Sequence, residues 1–284
     1  MARAVRVGIV LLVLVFLFSR LYPLYLQYPQ RRSTLEITER YARMLESLTQ
    51  AELQGLKDAV HAANEGLGEI RLGDVYSGYG MGIASRTESL LQLTGNGNIA
   101  VLSIPGQEVW LPVYPGDSSS GMEHGVIHVP GSSLPEGESG DGHVVLAGHL
   151  GLEADTLFGS RKVEARLDAL REMEAGDMLY LYVLGEVACY RVETIRTISF
   201  HQVGLLTWPQ TGGYLSVMAD EGDKRIVLRA RRIEDPDILL RRDAAQMLSG
   251  EAQAFLLGLP VLVPGSVLAI LFTLVRKRSR RIPK

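Results

Sequence analysis

The stretch DMLYLYVLGEVACYRVETI, residues 177–195, decides how this chain folds. Two short runs of β-branched and aromatic residues, DMLYLYV and VACYRVETI, flank Gly185-Glu186, which reads as a hairpin turn. The same texture extends outward in both directions. Upstream lie NIAVLSI (98–104), EVWLPVY (108–114) and HVVLAGH (143–149), and downstream lie YLSVMA (214–219) and RIVLRARRI (225–233). Gly, Pro, Ser and Asp bound each run, and the loop WPQTGG (208–213) precedes YLSVMA. A single helical pattern, Val163 to Met173, interrupts the series. Many short strands with one helical interruption predict a closed or nearly closed antiparallel barrel.

Upstream of the strands, Ser33-x-x-Glu36 and Thr49-x-x-Glu52 are capping-box patterns that predict two helices. Leu35, Tyr41, Leu45 and Leu48 would line one face of the first, and Leu53, Leu56 and Val60 one face of the second. Residues 66–82 (GLGEIRLGDVYSGYGMG) read as a loop. The chain ends are apolar. Val7 to Phe18 carries no charge and reaches spanning length by running past Arg20 to about Leu26; the small-x-small signature of a cleaved leader does not follow it. Ala254 to Val275 is also uncharged, and a basic tail from Arg276 to Lys284 follows. Positive charges outside both segments predict two membrane passes with both termini cytoplasmic and the middle of the chain outside. The expected organisation is an N-terminal transmembrane anchor (1–27), a helical and lid region (28–97), the β-barrel (98–235), a linker (236–253), and a C-terminal transmembrane helix with its basic tail (254–284).

Composition narrows the chemistry. The 284 residues carry a net charge of −3, which gives no electrostatic case for nucleic acid as a partner. The chain has one cysteine, Cys189, so an internal disulfide and a Cys-rich zinc site are excluded. The six histidines show no tight metal-ligand spacing, and no metal or cofactor is expected.

Gly125 to Phe158, GVIHVPGSSLPEGESGDGHVVLAGHLGLEADTLF, resembles the segment of class C (pilus-type) sortases that ends in their catalytic histidine. The matching elements are G-V-I-H (125–128), G-S-S-L-P (131–135), His143 and G-H-L-G-L (148–152). IPGQEVWLPVY (104–114) resembles the preceding strand pair, and RIVLRARRI (225–233) resembles the strand that supplies the family's arginine. The resemblance implies a mostly β, sortase-like closed barrel with short helices, flanked by transmembrane helices. It further implies a Cys-His-Arg site that cleaves LPxTG-like sorting signals and passes the acyl group to an amine, in pilus polymerisation a lysine. The partners implied are sorting signals of surface proteins or pilins, membrane lipids, and an active sortase at the outer face of a Gram-positive membrane.

By position, His149 takes the acid/base role and Arg225 that of oxyanion donor. Met218 occupies the place of the nucleophilic cysteine, since the family's TLxTC strand reads Tyr214-Leu215-Ser216-Val217-Met218 here. A thioether has no ionisable proton and cannot form a thioester. The loop before Arg225 is about two residues shorter than the family's, and Arg225 has a second reading as a solvated charge beside Arg229, Arg231 and Arg232. Ser216 lies on the same strand face as Met218, ~6.5–7 Å along the strand, but would need a base within reach. Cys189 reads as a packed thiol on another strand, and His128 and His143 as structural or surface residues. Asp74-Val75-Tyr76 sits where the family carries a DP-aromatic lid: Asp74 would pair with Arg225 and Tyr76 would cover residue 218, with a plain loop as the alternative. The expected function is a catalytically impaired sortase homologue that binds sorting-signal peptides. The alternatives are an active transpeptidase using another nucleophile, or a scaffold that kept only the barrel.

Overall fold

The computed structural model describes residues 39–67, 75–77, 88–93, 97–107, 109–116, 121–137, 140–151, 153–156, 159–162, 167–206, 208–209 and 211–234. Both expected membrane segments, the Ser33 capping box and Asp74 lie outside these residues. Among the described residues no helix is long and apolar enough to cross a membrane.

Strands β1 (Ala100–Ile104), β2 (Val109–Tyr114), β3 (Val126–His128), β4 (His143–His149), β7 (Met178–Val183), β8 (Glu186–Ser199), β9 (Tyr214–Glu221) and β10 (Lys224–Ile233) close into a barrel in the order β1-β2-β3-β4-β9-β10-β8-β7. β5 (Glu153–Thr156) and β6 (Gly159–Lys162) form a separate antiparallel hairpin. The chain divides into two compact units; Ser33–Leu152 with Ala165–Asp243 is the barrel unit, and the hairpin belongs to the other.

Two details differ from the sequence expectation. The barrel is not wholly antiparallel: β2 pairs β3 in parallel, and β4 pairs β9 in parallel. The long excursion from β4 to β9 makes this possible, because a parallel pair needs a crossover rather than a tight turn. The β7–β8 turn is also one residue earlier than the Gly185-Glu186 reading. Leu184 and Gly185 both have positive φ, 47° and 76°, while Glu186 already pairs with Val183. A two-residue turn with both central residues left-handed matches the twist of the flanking strands. In the region of the expected helix, the described residues Leu167–Arg171 form a 3-10 turn.

Strand alternation sorts the side chains into two layers. Leu102, Leu146, Leu181, Leu215 and Leu228 point into the barrel and are fully buried. The helix Gln50–Glu65 packs Leu53, Leu56 and Val60 against this interior, and the Thr49–Glu52 capping box starts it as its sequence predicts. Residues 39–47 are also helical. There Tyr41 fixes the helical region to the sheet: its hydroxyl donates to Ile99 O at 3.0 Å and accepts from Leu184 N at 3.2 Å. Asn64 bonds both backbone groups of Leu134. The second layer lies on the outer face of β4, β9 and β10, where Val145, Ala147, Met218 and Val227 pack with Val75, Val203 and Trp208.

Candidate active-site groove

The outer face of β4, β9 and β10 brings the expected site residues together. β4 carries His149 at its last position, β9 carries Met218, and Arg225 lies near the start of β10. The parallel register aligns Ala147 with Met218 and His149 with Asp220. The antiparallel register aligns Met218 with Val227 and Asp220 with Arg225. A row His149–Asp220–Arg225 therefore crosses the strand ends, and directly behind it lies an apolar row, Ala147–Met218–Val227.

Gly148 is needed where it stands. A Cβ there would lie 2.9 Å from Val126 Cγ1, 3.1 Å from Leu167 Cδ1 and 3.2 Å from Gly125 O. This close approach lets β4 run up to His149 without displacing its neighbours. His149 is 43% exposed at its side chain, and its Nδ1–H donates to Asp220 Oδ1 at 2.8 Å. Among the described residues nothing bonds its Nε2. The His149 hydrogen bond holds the Asp220 carboxyl below the usual carboxylate range; partial burial opposes this, and the charges of His149 and Arg225 reinforce it. Sequence reading missed Asp220. The available signal was its place two residues beyond Met218, on the same strand face.

Met218 is fully buried, within the second apolar layer. Tyr76 closes over it. The Tyr76 hydroxyl lies 2.8 Å from Gly148 O and 2.9 Å from Met218 O, and accepts from Gly148 N at 3.0 Å, so it bridges β4 and β9. The Arg225 guanidinium sits 4.5 Å from the Tyr76 ring centroid, and the His149 ring lies 5.9 Å away. Arg225 is buried, at 6% exposure, which removes its reading as a solvated charge. Its Nη1 donates to Gly222 O and Lys224 O, both at 2.8 Å, in the hairpin between β9 and β10. Gly222 takes φ +67° there, and the tight turn accounts for the short loop noted in the sequence.

Cys189 is buried on β8 in a different apolar cluster, with Tyr180 and Val187, away from this groove. His128 is buried and structural, its Nε2 lying 2.9 Å from Ser133 O. His143 is fully buried as well, and so is no surface residue: its Nδ1–H donates to Pro209 O at 2.8 Å and its Nε2 lies 2.9 Å from Ser216 Oγ. Burial pushes this imidazole down to about 4; the Pro209 bond opposes the shift and the charge of Arg229 adds to it. No group of His, Cys, Asp and Glu among the described residues could hold a metal ion.

Residues 102–232 match the family model described as Sortase domain. None of the curated proteins matches the chain in sequence. Several solved structures share the fold. Sortase C of Streptococcus pneumoniae superposes with a TM-score of 0.59 at 24% identity, covering 70% of this chain and 97% of that one. The pilus-related sortase C of Group B Streptococcus gives 0.58 at 23%, covering 70% and 98%. Sortase C2 of the Group B Streptococcus pilus island 1 gives 0.54 at 22%, covering 66% and 100%. Over residues 102–232 the barrel matches the sortase family model, and it has the fold of the pilus-type sortases.

Proposed function

We propose that this chain is a membrane-anchored sortase-family protein that binds sorting-signal peptides of surface proteins or pilins and performs no thioester chemistry. One observation carries the reading. Met218, which the motif resemblance puts in the place of the nucleophilic cysteine, is packed between Ala147 and Val227 beneath Tyr76, and the chain's single thiol, Cys189, belongs to another face. A buried thioether offers packing and no nucleophile. Around it the groove keeps an imidazole with one nitrogen free, a buried guanidinium and a tyrosine cover. These are groups that recognise a backbone carbonyl or a C-terminal carboxylate once the cover lifts.

In this reading Tyr76 acts as the lid, its hydroxyl replacing hydrogen bonds that a bound peptide backbone would make to β4 and β9. Asp220 orients His149. The domain faces outward from a Gram-positive membrane, between two spanning segments whose basic flanks keep both termini inside. Lipids and an active sortase that supplies the missing thiol chemistry are its further partners.

Titration of the full chain in detergent with an LPxTG-bearing peptide tests binding. Saturable binding with the peptide recovered intact supports the reading. No binding by the wild-type chain or by Tyr76→Ala removes it. Topology has its own test. Protease added to intact protoplasts should remove the barrel and spare the basic tail; a protected barrel with a cleaved tail would reverse the orientation.

A further inference from the structure

The groove holds a second chemical constellation, displaced along β9 from position 218. Ser216 lies two residues before Met218 on the same face. Its hydroxyl is fully buried and meets His143 Nε2 at 2.9 Å. The tautomer follows from the geometry. Pro209 O can only accept, so His143 Nδ1 must carry the proton in the 2.8 Å contact. In the neutral imidazole Nε2 is then the acceptor, and Ser216 donates to it. A hydroxyl aimed at the free nitrogen of an imidazole, with its other nitrogen fixed by a third group, is the arrangement that activates a serine.

The surroundings add what such a nucleophile requires. Ser216 and Arg229 face each other in the β9–β10 register and line one small cleft of about 50 Å³. Trp208, Leu206, Ile198, Val227, Thr194 and Arg196 complete its wall. Arg229 Nε and Trp208 Nε1 are both buried N–H donors with no hydrogen-bond partner among the described residues. A buried donor left unpaired loses the hydrogen bonds it would make in water. Two of them, both on side chains lining the cleft that Ser216 lines, are a ready pair for a developing oxyanion.

We propose that Ser216, His143 and Arg229 form a serine acyl-transfer site for short-chain carboxylic esters, separate from the peptide site at position 218. Ser216 Oγ adds to the ester carbonyl carbon and its proton passes to His143 Nε2. Arg229, with Trp208, holds the carbonyl oxygen as it becomes negative. The bond from the carbonyl carbon to the leaving alcohol oxygen breaks, and that oxygen takes the proton from Nε2. Water then attacks the acyl-Ser216 carbonyl, gives its proton to Nε2, and Ser216 leaves with that proton. The sum is ester plus water to carboxylic acid plus alcohol. The small cleft beside Ser216 suits an acetyl-sized acyl group. The imidazole is the base in its neutral form, which burial favours down to about pH 4.

The test is exposure of the full-length protein in detergent to p-nitrophenyl acetate, with tandem mass spectrometry of the digested chain and p-nitrophenolate release read in parallel. The expected result is one acetyl group mapped to Ser216. It should be absent in Ser216→Ala and accumulate at least tenfold more slowly in His143→Gln, and the wild-type rate should rise with pH through about 4 and stay level above 6. Acetylation of other residues with Ser216 unmodified in the folded wild-type chain would overturn the proposal. So would Ser216 acetylation that His143→Gln leaves unchanged, or a rate that rises through the ordinary histidine range near 6.5. The mapping is made on wild-type protein, so it stands even where a variant folds poorly.

Discussion

Replacing Tyr76 by Phe removes one oxygen atom and leaves the ring that lies 4.5 Å from the Arg225 guanidinium. The lost hydroxyl accepts one hydrogen bond, from Gly148 N, and can donate one proton to Gly148 O or Met218 O. At about 1 kcal/mol net for each bond, the covered state loses about 2 kcal/mol relative to the lifted state, roughly 30-fold in their ratio. The Gly148 amide is the natural reporter, because its bond to the Tyr76 hydroxyl exists only while the cover is down. Hydrogen exchange at Gly148 should quicken about 10- to 30-fold in Tyr76→Phe, while amides of the β1–β7 pairing, such as Leu102 and Leu181, keep their wild-type rates. Peptide affinity should rise by a similar factor, since the competent fraction of the protein rises by that factor. Tyr76→Ala also removes the ring contact with Arg225 and should go further. Unchanged exchange at Gly148 would refute the reasoning. Equal acceleration at Gly148, Leu102 and Leu181 would also refute it, because Tyr76 would then be a piece of the core rather than a separable cover.

Further outcomes follow from the same geometry. Gly148→Ala places a methyl group 2.9 Å from Val126 Cγ1 and close to backbone at Gly125. It should destabilise the domain by about 1–3 kcal/mol in urea melts and uncouple His149 from Asp220; a wild-type midpoint would show that β4 can shift to make room. His143 gives a pH dependence with a definite sign. Its folded-state pKa of about 4 lies below the unfolded value near 6.5, so its neutral form contributes fully above 6.5. That contribution is lost as pH falls from 6.5 to about 4, on the order of 3 kcal/mol in all, with no further loss below. His143→Gln should therefore flatten the urea midpoint between pH 7 and pH 4 relative to wild type, and parallel curves for the two proteins would contradict the assignment.

How much of this was legible in the sequence depends on the range of the interaction. Local signals read well. The Thr49–Glu52 cap, the apolar face of Leu53, Leu56 and Val60, and the strand runs all follow from spacing within a few residues. The His149, Met218 and Arg225 positions came from the motif string, and the structure brings all three to one groove with Tyr76 above them. What was not legible depends on register between strands distant in sequence. β4 and β9 pair in parallel across the long excursion between them, and nothing local in either strand states that His149 faces Asp220 or that Val145 faces Ser216. The base that Ser216 would need is thus supplied by His143, a residue that sequence reading assigned to structure or surface. The single-residue shift of the β7–β8 turn has a similar cause: Leu184 takes a positive φ that its residue type does not advertise. The parallel pairs escaped because strand-rich texture alone does not distinguish a hairpin meander from a barrel with crossovers.

The central claim of the proposed reading is that a thiol at position 218 would restore sortase-type peptide chemistry to this groove, and that the wild-type chain binds without forming a thioester. Mass spectrometry of the intact chain after incubation with an LPxTG-bearing peptide tests it most directly, on wild type and on Met218→Cys. The account predicts no peptide adduct on wild type and a slow, hydroxylamine-sensitive adduct on Met218→Cys. The rescue should be partial, because Arg225 is held by Gly222 O and Lys224 O in a short hairpin and Tyr76 covers the site. A misplacement of even about 1 Å can cost a hundredfold in rate. A peptide adduct on the wild-type chain, or no adduct on a folded Met218→Cys chain that still binds the peptide, would contradict it.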